Sequence, residues 1–154
     1  MEEAASRGWP KGWLPNLSLQ SPIWTIYTGC QSFSAERLRH ERDQLVEAAA
    51  DNASWIMEGI YGSILKQVFP RITTLIWLDI ADTECISNLM LRGQTDGGTP
   101  EQFEELLEYT RGYRLRQNHL NSFDGHQWFY ERHPKQKFRL SSRSDVTDFL
   151  DGIR

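Results

Sequence analysis

Two carboxylates and a group of arginines are the residues of this chain whose types and spacing could do chemistry. Glu58 and Asp79 each stand where an apolar run stops, the first after Trp55-Ile56-Met57 and the second after Thr74-Leu75-Ile76-Trp77-Leu78. If both runs are strands of a parallel sheet, both carboxylates lie at strand carboxyl ends, where the ligands of such sheets bind. The same two residues also suit loop caps or charges at helix N-termini, and both readings stay open on sequence. Of the 17 basic residues four are lysine, and the arginines include Arg111, Arg114 and Arg116 close together on one segment, with Arg92 upstream. Clustered guanidiniums suit multidentate contact with phosphate. They equally suit a solvated helix face with ion pairs to Glu104, Glu105 and Glu108. His119, His126 and His133 recur at even intervals, but Asn121 to Gly125 breaks the helix between them, so no metal site is expected there. Cys30 and Cys85 lack metal-ligand spacing and read as buried free thiols.

These residues need elements to hold them. The stretch from Ser54 to Ile80 reads as a βαβ unit: a strand at 55–57, a helix with Ile64, Leu65, Val68 and Phe69 at helical spacing closed by Pro70, and a strand at 74–78. Two apolar runs joined by a helix imply parallel strands buried on both faces. Upstream, residues 1–13 have no period and are expected to be poorly ordered, 14–19 alternate, and 23–27 form a second β-like run. Ser34 suits an N-cap, with a helix running to about Ala50. Downstream, Asp82 suits the cap of a helix that turns Cys85, Ile86, Leu89 and Met90 inward. Thr99-Pro100-Glu101-Gln102 is a helix start with a capping box, and that helix is expected to carry Tyr113 and the arginines as far as the Asn121 break. A short amphipathic piece with Trp128 and Phe129, a strand at 137–140 and a helix at 145–150 complete the order.

The 154 residues fit one domain, and 39% hydrophobic with 25% charged content is that of a globular protein. No apolar stretch reaches the roughly 18 residues needed to cross a bilayer, and Met1 to Ser6 lacks the blocks of a signal peptide, so a cytoplasmic location without membrane contact is expected. A formal charge of −4 argues against direct nucleic-acid binding. An open sheet edge would offer a route to a homodimer or another partner.

Taken in order, Leu14-Pro15-Asn16-Leu17-Ser18-Leu19-Gln20 with Trp24, Trp55-Ile56-Met57-Glu58-Gly59-Ile60-Tyr61, Ile76-Trp77-Leu78-Asp79 and Arg139-Leu140-Ser141-Ser142-Arg143-Ser144-Asp145-Val146 resemble the nucleoside-monophosphate-kinase branch of the P-loop kinases. More specifically they resemble the small adenylate-kinase-related proteins labelled DNA topology modulation proteins. The resemblance covers roughly residues 14–150. It implies an α/β fold, a three-layer parallel sheet of P-loop NTPase type, with a lid-like insertion near residues 92–122. It implies transfer of phosphate from ATP to a nucleotide or other small acceptor. Arg92, Arg111, Arg114 and Arg116 would then clamp the transferred phosphate, Ser142 and Arg143 would bind the cofactor's adenine, and Tyr61 and Asp79 would face the substrate. Glu58 would order a hydrated Mg²⁺.

The departures are large. The loop Gly-x-x-x-x-Gly-Lys-Ser/Thr, whose backbone and lysine hold the ATP phosphates, has no match. None of Lys11, Lys66, Lys135 and Lys137 follows a glycine. The segment Gly29-Cys30-Gln31-Ser32-Phe33-Ser34, after 23–28, is the one candidate for a degenerate phosphate loop. The family's polar position is Ile60 here. The expectation is therefore a P-loop kinase architecture with an incomplete or altered central strand, impaired in catalysis. Its rivals are a non-catalytic binding or regulatory remnant and the product of a truncated gene.

Overall fold

The computed structural model describes residues 39–93 and 99–153. The expectations for residues 1–38, Ser34 and Cys30 included, and for the loop at 94–98 lie outside this range. In chain order the elements are α1 (Arg39–Ala50), α2 (Gly62–Val68) with a 3-10 turn (Phe69–Arg71), β1 (Thr74–Leu78), α3 (Asp82–Arg92), α4 (Pro100–Arg111), α5 (Phe123–Arg132), β2 (Gln136–Leu140) and α6 (Arg143–Gly152). The fold is α/β, with a two-stranded parallel sheet among the described residues.

β1 and β2 pair in the register Thr74 to Gln136 through Leu78 to Leu140. Paired residues share a face, and successive residues alternate faces. Leu75 and Trp77 point to one side, where Leu75 joins the apolar cluster of Val46, Ala50, Ile64, Val68 and Ile72. Trp77 meets Phe123 and Tyr130 of α5 on that side, at ring distances of 5.3 and 5.7 Å. Phe138 points to the other side and meets Phe149 of α6 at 4.8 Å. The two helices therefore cover opposite faces. Their cover is partial, and this corrects the expectation of strands buried on both faces: Ile76 is 44% exposed.

The run at 55–57 also departs from expectation. Ile56 is a lone bridge position rather than part of a ladder. Trp55 and Met57 pack on the core while Ile56 is exposed, so the segment alternates as an extended chain should without becoming a sheet strand. The helix after it forms as read. Gly62, at its first position, donates its N–H to Asn121 Oδ1 at 2.5 Å, and a Cβ there would collide with Leu120.

The helix termini follow cap chemistry. Thr99 and Gln102 exchange the two bonds of a capping box, at 3.3 and 2.8 Å. α4 ends at Arg111, earlier than expected: Gly112, itself right-handed, is the C-cap, turns follow as far as Leu115, and Asn118 beyond them is the one non-glycine residue with positive φ among those described. Tyr113, Arg114 and Arg116 thus lie beyond the helix. The break expected at Asn121 to Gly125 ends sooner, since Ser122 caps α5 by accepting from Gly125 N at 3.2 Å and the helix starts at Phe123. α3 begins at Asp82, but its N-cap is Ala81 and Asp82 makes no side-chain cap.

Ile64 is 1% exposed and Ile60 is 53% exposed. Ile64→Ala is expected to lower the unfolding free energy by about 2–5 kcal/mol, and Ile60→Ala by less than about 1 kcal/mol, in parallel urea titrations.

Candidate functional site

β1 ends at Leu78, and the next residue still belongs to the ladder: Asp79 N donates to Leu140 O at 2.8 Å. This bond fixes Asp79 at the carboxyl end of both strands. Its side chain is only 5% exposed, and its two oxygens go to two different arginines. Oδ1 accepts from Arg114 Nη2 at 2.7 Å, while Oδ2 accepts from Arg139 Nε at 2.9 Å and also from Arg139 Nη2. Arg114 reaches in from the turns after α4 and Arg139 from β2. Arg114 Nε donates in addition to Asp82 Oδ1 at 3.1 Å. Two guanidiniums and two carboxylates therefore alternate and balance in charge.

An aromatic floor carries the cations. The Arg139 guanidinium lies 4.5 Å from the Trp77 ring centre, as the register that pairs these residues requires, and the Arg114 guanidinium lies 4.8 Å from that of Phe123. The two arginine side chains remain 37% and 42% exposed, so the cluster has a wet outer side over a dry inner one. Partial burial works against the charge on Arg114, and its bonds to Asp79 and Asp82 more than offset this, holding its pKa above the ordinary arginine value.

A neutral network lies beside the ionic one. Trp77 Nε1 donates to the Tyr113 hydroxyl at 3.3 Å, and the hydroxyl lies 2.7 Å from His126 Nδ1. Burial pushes the Tyr113 phenol up to about 12, with the Asp79 carboxylate adding to the effect. Burial, and then the Arg116 cation, hold His126 below its ordinary pKa. At neutral pH the phenol is protonated and the imidazole uncharged, and the two share a neutral hydrogen bond. These bonds anchor the residue next to Arg114 in sequence.

Of the residues singled out by sequence, the structure unites Asp79 and Arg114. Arg111 pairs with Glu104 at 3.1 Å and with Glu108 on the surface of α4, the solvated helix-face arrangement. Arg116 donates to the carbonyls of Tyr109 and Asn121 and lies over the Tyr109 ring at 3.8 Å. Arg92 is exposed at the end of α3. Arg143 bonds Glu84 and Asn88, and Ser142 is the cap of α6, in a capping box with Asp145. The Ser142 hydroxyl and the Ser141 backbone hold the Asp145 carboxyl below its usual range. Tyr61 lies just before α2 with its ring against Gly59, whose φ of 122° only glycine adopts readily. Glu58 is exposed in the same loop and shares no hydrogen bond or ion pair with the cluster among the described residues.

Sequence reading missed Arg139, Asp82, Trp77 and Phe123 as members of one site. The signal for Arg139 was present: aligning the strand ends at Leu78 and Leu140 places it opposite Trp77. Asp82 was read as a cap, and its carboxylate goes to Arg114 instead.

No group of three or more His, Cys, Asp or Glu side chains suited to a metal occurs among the described residues. The three histidines part company: His119 Nδ1 accepts from Asn121 N, His126 meets Tyr113, and His133 is buried beside Phe69. Burial, then Asp82 and Glu84, push the Cys85 thiol up, which keeps it protonated and a poor nucleophile. No helix among the described residues is long and apolar enough to cross a membrane. Comparison with protein-family models, curated proteins and solved structures found no match.

Asp79→Ala would leave two adjacent guanidiniums without their shared acceptor, and is expected to cost about 1–3 kcal/mol of stability in urea unfolding. His126 gives a pH signature. Its pKa is depressed by folding, so its contribution is complete above the unfolded value of about 6.5 and is lost as pH falls below it toward the folded value. Stability should fall over that window in the wild type, and His126→Gln should flatten the slope when chemical unfolding is repeated between pH 7.5 and 5.

Proposed function

We propose that this chain is an adenylate-kinase-like α/β protein of three-layer, P-loop-kinase architecture that binds a phosphate-bearing small molecule, in the first instance a nucleotide, with phosphoryl transfer to a small acceptor strongly impaired. The observation that supports this reading is the meeting of Arg114 and Arg139 on the buried Asp79 at the carboxyl ends of a parallel strand pair. Ligands of open α/β sheets lie at that end. A carboxylate that holds two guanidiniums side by side pre-orients them at little further entropic cost, and part-exposed paired guanidiniums suit the oxygens of a phosphate.

The impairment follows from sequence. The 154 residues contain no Gly-x-x-x-x-Gly-Lys-Ser/Thr, the motif whose backbone and lysine ordinarily hold the ATP phosphates. Asp79 has both oxygens engaged, so Glu58 is the proposed carboxylate left for Mg²⁺. It would hold the ion through water, while the nucleotide's own phosphates supply the other ligands. Binding without turnover is the second reading. The commitment of Arg111 to Glu104 and Glu108 favours it, because that arginine has its charge already met on the helix surface.

Thermal unfolding with Mg-ATP, ADP or pyrophosphate tests the proposal. A ligand at 100 times its dissociation constant stabilises by about 2.7 kcal/mol, a rise of several degrees for a chain of this size. The expected result is such a rise, abolished by Arg139→Ala, with no more than trace transfer of phosphate from ATP to AMP or other small acceptors. A cooperative transition that none of the three compounds moves would overturn the reading.

A further inference from the structure

We infer that Asp82 is a built-in competitor on Arg114, so that a ligand phosphate binds there by exchange with this carboxylate. The inference rests on the phosphate-binding reading above and adds to it how the site is regulated from within. Asp79 by itself satisfies the two arginines, one oxygen to each. Asp82 adds a second acceptor to Arg114 alone, at 3.1 Å on Nε, and lies nearer solvent, with its side chain 24% exposed against 5% for Asp79. Arg139 bonds no carboxylate other than Asp79 among the described residues. The two cations are therefore unequal: Arg139 is met by one carboxylate and Arg114 by two.

Asp82 also has somewhere to go. It is the first residue of α3, whose N-cap, Ala81, offers no side-chain acceptor to the first-turn N–H groups. A carboxylate at that position is stabilised by the unpaired N–H groups and the positive end of the helix. Leaving Arg114 would thus not strand the charge. Asp79, buried and shared, has no such alternative and would stay in place as the hinge of the exchange. Arg114 itself sits in the turns between α4 and α5 rather than within a helix, so its side chain can shift without unwinding a helical turn.

Calorimetric titration of pyrophosphate, without metal, into the full chain and into Asp82→Asn and Asp82→Ser tests the exchange, with cooperative thermal unfolding confirmed for each protein. Serine is included because it suits a helix start and keeps the test open if the asparagine variant does not fold. Both variants are expected to bind about three- to tenfold more tightly than the wild type, the range an ion pair of this exposure can supply once like-charge repulsion is added. On an Arg114→Ala background the same Asp82 changes should give no gain. Equal or weaker binding by the variants, or a gain that persists without Arg114, would overturn the exchange and leave phosphate binding intact. Absence of binding in all the proteins would overturn the phosphate reading and the exchange together.

Discussion

A carboxylate buried at the end of a strand cannot stand alone, because removing its charge from water costs several kcal/mol unless partners replace the lost solvation. Asp79 is in that position, and much of the described structure is arranged to answer it. One partner comes from β2, which must hold its register so that Arg139 falls opposite Trp77. The other comes from the turns after α4, which must stop at Gly112 so that Arg114 can reach back across α3. The ladder bond from Asp79 N to Leu140 O then locks the acceptor at the height of both donors.

The floor beneath the ion pairs is as constrained as the pairs themselves. Trp77 is at once a core residue against α5, a platform for Arg139 and a donor to Tyr113. Phe123 fills the space between Trp77 and Arg114, and it can do so because Ser122 restarts the helix at that point. A second apolar region, between α1 and α2, joins this one through Phe69, whose ring meets Phe129 at 5.2 Å. The ionic cluster is thus mounted on the aromatic half of the core, while the aliphatic half secures the chain before β1.

Local features were legible in the sequence and non-local ones were not. Thr99 with Gln102 announced α4, and strands were legible at 74–78 and 137–140, because caps and strand runs are set by neighbours in sequence; that these two pair with each other was not legible, the expected partner of 74–78 being 55–57. The run at 55–57 looked like a strand equal to 74–78, yet it makes a single bridge at Ile56 and no ladder, and an apolar triplet does not say how far its pairing will run. Arg111, Arg114 and Arg116 looked equivalent as a cluster. Gly112 separates their fates: the residue before it stays on the helix with its glutamates, and those after it turn toward Asp79 and the Asn121 carbonyl. Asp82 had the residue type of a cap, and only the position of Arg114, far along the chain, decided that its carboxylate would go elsewhere.

The sequence distance across the Asp79 cluster bears on how the chain folds. Its three ion pairs close segments of 32, 35 and 60 residues, and the first rung of the sheet, from Thr74 to Gln136, spans 62. Of the helices between them, α4 and α5 carry local side-chain caps, whereas closing segments of this length carries an entropic cost that local structure does not offset. The parallel pair and the arginine cluster are thus the non-local part of the fold, and both hang on the same bond from Asp79 N to Leu140 O. Completion of the sheet and assembly of the cluster coincide: the two guanidiniums stand side by side only once β1 and β2 have closed on each other.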